Sequence, residues 1–152
     1  MTVVSEILGA NDVLRELIGR EHEVVSHYDS AADQLEQLET KVALDSFRAQ
    51  HAQHAKALGD ELEQRQSLAP AAPAGALPPP AQDPILWEPP DEREALKELR
   101  RMERMLEDGY LLLLERGDIE TPLRELVERI LAEQRSCTTW LEDHLLLDQN
   151  RH

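Results

Sequence analysis

The chain has 152 residues, a net charge of −15 and one cysteine, with 41% hydrophobic and 31% charged residues. That length can bury one core without staples. So acidic a surface argues against nucleic acid and anionic membranes, both of which are bound through clustered Lys and Arg, and the lone Cys137 excludes an internal disulfide and suits a reducing compartment.

Ala, Leu, Glu and Arg are abundant and only five residues are aromatic, a composition that favours helices over strands. The fold class expected is all-α. The opening "MTVVSEILGA" has no basic stretch before an apolar run, and the leucine run at 111–114 is too short to span a bilayer. A cytoplasmic protein is expected.

A first helix is predicted from about 11 to 38, followed by a tight turn near Glu39–Lys41 and a second helix over 42–66. Residues 67–90 then hold eight of the nine prolines, which favours an extended, non-helical segment. Asp91 is placed to cap a third helix over 91–116, with Glu94 three residues on and Gly117 as its stop. Thr121-Pro122 opens the last helix, over 121–147, with proline at a favoured first-turn position. Fully extended, the proline-rich stretch could reach roughly 75 Å, against roughly 37 Å for a 25-residue helix. It is long enough to cross a bundle from end to end. The predicted architecture is therefore a single domain, 1–152: an antiparallel four-helix bundle of two helical hairpins joined by a long proline-rich crossover.

Each helix carries an apolar stripe broken near its middle. The first reads Val13, Leu14, Leu17, Ile18, Glu21, Val24, Val25, Tyr28, Ala32, Leu35, and the second Leu44, Phe47, His51, His54, Leu58, Leu62. The third reads Leu96, Leu99, Glu103, Leu106, Tyr110, Leu113, and the fourth Leu123, Val127, Ile130, Gln134, Cys137, Leu141, Leu145. The halves repeat. Glu21 and Tyr28 are seven apart, as are Glu103 and Tyr110, and the steps from Glu21 to His51 and from Glu103 to Gln134 are 30 and 31 residues. Each half contributes one acidic position and one i, i+3 pair, which shares a helix face. Glu107, one turn beyond Glu103 but off the stripe, is the second choice for the acidic position in helix 3.

In these residues the chain resembles the ferritin-like superfamily, and within it bacterioferritin and rubrerythrin. The segment "ILAEQRSCTTWLEDHL" is similar to the helix 4 Glu-x-x-His segment of that family, and "HAQHAKAL" to its helix 2 counterpart. The resemblance covers most of 11–66 and 91–147 and implies a central layer of ligands around two iron ions. It puts Glu21 and Glu103 at the helix 1 and 3 ligand positions, His51 and His54 at those of helix 2, and Gln134 and Cys137 at those of helix 4.

Only two of the four family carboxylates are present. Two ferrous ions bring +4, and two carboxylates, even joined by a Cys thiolate, leave uncompensated charge in a low-dielectric core. A working ferroxidase is disfavoured, and a single transition-metal ion (zinc, copper or iron) is the better match to Glu21, His51, His54, Glu103 and Cys137, with Glu107 and Gln134 ranked behind. His54 keeps the family's residue type, which makes it the stronger ligand of its pair and the histidine expected nearest Glu21 or Glu103. Haem is not expected, since Ala52 stands where the resemblance would place the haem-ligating Met. With five residues after Leu147 and no segment for a fifth helix, a homodimer is expected rather than a cage. Two other readings stand beside the metal site: a metal-free hydrogen-bond network that fixes helix register, and, further off, a hemerythrin-like bundle, which would want His-x-x-x-Glu pairs the sequence does not offer.

Overall fold

The computed structural model describes residues 9–68, 89 and 91–149. These residues form four helices and no strand: α1 (Ala10–Ala32), α2 (Leu38–Leu68), α3 (Glu92–Glu115) and α4 (Thr121–Gln149). The proline-rich stretch predicted as a crossover lies almost wholly outside the described residues.

The predicted stripes are the buried ones. Leu14, Leu17 and Val24 of α1, Leu44 and Leu58 of α2, and Leu96, Leu99, Leu106 and Leu113 of α3 form one core with Leu123, Val127, Ile130, Leu141 and Leu145 of α4. Each of these helices has one apolar face to cover, and packing four together covers all of them. α1 packs on α2 and α3 on α4, as two hairpins would. The pairs α1–α3 and α2–α4 close the bundle, and the α2–α4 seam is the thinnest of the four. Between α1 and α3 the approach is close at Gly109, where a Cβ would lie 2.8 Å from Leu17 Cδ2.

The cap of α3 is the one the sequence indicated: the Asp91 side chain accepts a hydrogen bond from the Glu94 backbone N–H at 2.8 Å. The boundary between α1 and α2 is not. α1 ends at Ala32, six residues earlier than expected, and the predicted turn at Glu39–Lys41 is the first turn of α2. The chain leaves the helix through bonds from Gln34 N–H to Ala31 O and from Leu35 N–H to Ala32 O. Leu35 is buried although it lies in the connection. An apolar residue that folds back from a loop onto the core falls on the helical stripe just as a helical residue would, and no Gly or Pro marks the stop.

Candidate metal centre

Midway along the bundle the four stripes turn polar together. Glu21, His51, His54, Glu103, Gln134 and Cys137 are all buried, and the two tyrosines one helical repeat away, Tyr28 and Tyr110, are buried with them. Glu107 is half-buried and outside this layer, so Glu103 is the inward carboxylate of α3.

His51 is the hub. Its Nδ1 lies 2.6 Å from Glu21 Oε1, and its Nε2 is hydrogen-bonded to Glu103 Oε1. An ionised carboxylate can only accept, so a ring held between two of them carries hydrogen on both nitrogens. Burial alone would push the His51 pKa down. Its neighbours Cys137, Glu103 and Glu21 outweigh burial and hold the imidazolium well above the ordinary histidine value. For Glu21 burial likewise opposes the charge, yet His51, His54 and Tyr110 bring its pKa down to about 2.

The tyrosines join the halves reciprocally. Tyr28 of α1 donates to Glu103 Oε1 of α3 at 2.9 Å, and Tyr110 of α3 donates to Glu21 Oε2 of α1 at 2.5 Å. Burial first, then the adjacent carboxylates, raise both phenols above their usual range, so both remain donors. Gln134 Nε2 donates to the Glu103 backbone carbonyl at 2.7 Å, and the Cys137 thiol to Gln50 Oε1 at 3.0 Å. Burial also raises the Cys137 pKa, which keeps it a thiol.

His54 is different. It is 5% exposed, yet neither ring nitrogen has a hydrogen-bond partner. Nδ1 lies 3.5 Å from Glu21 Oε2, and Nε2 lies 3.7 Å from Glu133 Oε2. The expectation that His54 would sit nearest the carboxylates is corrected: His51 takes that place. It lies between the levels of the two carboxylates along the bundle, and it is hydrogen-bonded to both.

Two sets of potential ligand atoms come within 4.8 Å of one another: Glu21, His51 and His54, and His51, Glu103 and Cys137. All five residues named from the sequence as the first choice are in one set or the other. Gln134 braces the backbone of α3 instead. The sequence did not single out Gln50 or Glu133. Both lie one position off a stripe, beside His51 and Gln134, where a polar side chain is most often solvated. No helix among the described residues is long and apolar enough to cross a membrane.

No protein-family model, curated protein or solved structure matches the chain.

A buried imidazole without partners costs about 1–3 kcal/mol of desolvation. Relief of that cost is set against the loss of the help His54 gives the Glu21 charge. Replacing His54 by leucine is therefore expected to change the stability of the metal-free protein by no more than about 1 kcal/mol in urea denaturation with a chelator present. A loss above about 2 kcal/mol would show that His54 is held by bonds in the fold rather than waiting for a ligand.

Proposed function

We propose that the chain is a ferritin-like bundle whose central layer binds one transition-metal ion through Glu21, His51 and His54. The observation that carries this is the unpartnered His54 ring beside Glu21. Two ligands on a tetrahedral zinc ion, each about 2.0–2.1 Å from the metal, lie about 3.4 Å apart. The 3.5 Å between His54 Nδ1 and Glu21 Oε2 is too long for a good hydrogen bond and suits two ligands of one ion. Two imidazoles and a carboxylate are a borderline donor set of the kind zinc takes, with a fourth position open. The ion would replace the proton that His51 shares with Glu21, so charge in the layer is exchanged rather than added. Cys137 and Glu103 lie on the far side of His51, where a softer ion such as copper would find a thiol.

Cobalt or zinc titration of untagged, chelator-treated protein tests the site: one ion per chain is expected, and His54→Ala should abolish binding. Two irons per chain would overturn the single-ion reading, and no uptake at all would overturn the metal site. In that second case the layer is a metal-free network. The pairing of His51 with both carboxylates favours that reading, because the imidazolium already offsets half of their negative charge.

Cross-helix pairs support the ferritin-like topology. Asn11 meets Arg65 and Asp29 meets Arg48, which favours opposite directions for α1 and α2, and Glu21–Tyr110 with Tyr28–Glu103 favours opposite directions for α1 and α3 as well. On this topology α2 ends beside the start of α1 while α3 begins at the other end of the bundle, an arrangement that a long crossover would join. Spin labels at Glu63 and Glu94, both exposed, are expected roughly 35 Å apart on a rise of 1.5 Å per residue. A separation under 20 Å would refute the crossover. The exposed Met105 and Leu112, seven residues apart on one face of α3, offer an apolar surface for the proposed homodimer, which sedimentation velocity would detect as twice the chain mass.

A further inference from the structure

An ion bound at the centre of a closed bundle needs a way in, and the side chains mark one. Carboxylate and imidazole alternate from the core outward: Glu103, His51, Glu21, His54, Glu133. The inner members are buried. The last, Glu133 of α4, is 38% exposed. Its Oε2 faces His54 Nε2 at 3.7 Å, and its Oε1 faces Arg129 Nε at 3.8 Å. Neither separation is a hydrogen bond. His54 thus lies between an outer and an inner carboxylate, bonded to neither, in the thinnest seam of the bundle.

We propose that Glu133 and His54 form the gateway through which the ion reaches the site, an inference that rests on the metal-binding reading above. The ion is captured at the surface between the Glu133 carboxylate and His54 Nε2. It passes inward when the His54 ring turns, which brings it to Glu21 and His51. The two faces of the ring explain why His54 makes no hydrogen bond: a ring fixed by one could not turn. Arg129 balances Glu133 while the gateway is empty, and an arriving divalent cation displaces it. Only a cation is attracted at this point, and the acidic chain as a whole raises the local concentration of such ions. Glu133 leaves the ion once it has moved inward, since its carboxylate is outside the set that shares 4.8 Å with Glu21.

Stopped-flow uptake of Co²⁺, followed by its visible absorption, separates the two proposals. Glu133→Gln should slow association about tenfold, the lower end of what local charge contributes to capture rates. The amount bound at saturation and the absorption spectrum should match the wild type. Glu125→Gln, the same charge change at an exposed position of α4, should alter the rate less than twofold. Equal rates in Glu133→Gln and the wild type, or equal slowing in both variants, would overturn the gateway while leaving the site intact. A changed spectrum in Glu133→Gln would make it a permanent ligand and overturn the gateway also. A wild-type protein that takes up no cobalt would overturn both proposals together.

Discussion

Replacing His51 by alanine should lower stability by about 3–5 kcal/mol, the usual cost of removing one partner from a buried ion pair. Both carboxylates that His51 serves are wholly buried, and without the imidazolium each keeps only one phenol. Two like charges would then share a low-dielectric layer. Since a domain of this size has about 5–15 kcal/mol in total, the variant is expected to be folded but marginal. The sequence ranked His54 above His51 as a metal ligand and gave no order for stability; the bonding makes His51 the more important of the two for the metal-free fold. Adding Glu21→Gln and Glu103→Gln to His51→Leu removes the charges along with their partner and should recover most of the loss. Urea denaturation of the series measures this, and a His51→Ala variant within 1 kcal/mol of the wild type would show that the pair contributes little.

Stability should also peak in a narrow acid range. Glu21 has its pKa lowered from 4.5 to about 2 on folding, so its contribution is present above 4.5 and is lost as pH falls toward 2. His51 has its pKa raised well above 6.5, so its contribution is complete below 6.5 and is lost as pH rises through the folded value. Between about 4.5 and 6.5 both are in force. The acid limb amounts to about 3 kcal/mol at 1.36 kcal/mol per pKa unit. Both limbs report the same ion pair and do not add. Urea midpoints from pH 3 to 10 should trace this dome, and His51→Ala should flatten the alkaline side. An alkaline limb that survives in that variant would belong to other groups.

The stripes were legible in the sequence because burial in a bundle imposes a 3.6-residue period, and a polar residue on that period is visible as an interruption. Glu21, His51, His54, Glu103, Gln134 and Cys137 were all found in this way, and the Asp91 cap from its spacing to Glu94. The period carries no information on height or chain direction within a helix, which is why Leu35 was read as helical and His54 was placed too near the carboxylates. Glu133 was invisible for a related reason. It lies off the stripe of its own helix and gains its neighbour only from the way α2 leans on α4, a relation that exists between chains of residues and not within one.

The crossed tyrosine bonds have a consequence for how the molecule comes apart. Tyr28 to Glu103 and Tyr110 to Glu21 connect residues 75 and 89 positions apart, while each carboxylate's own hairpin holds no phenol bonded to it. Each hairpin by itself would therefore bring a carboxylate to the interior with part of its support missing. Docking of the two halves should be late and rate-limiting in folding, because contacts of such long range must close the largest loops. It should also be concerted, since separation releases both bonds at once. In amide hydrogen exchange the middle turns of α1 and α3 should open together with the whole molecule, while the helix ends exchange by local fraying.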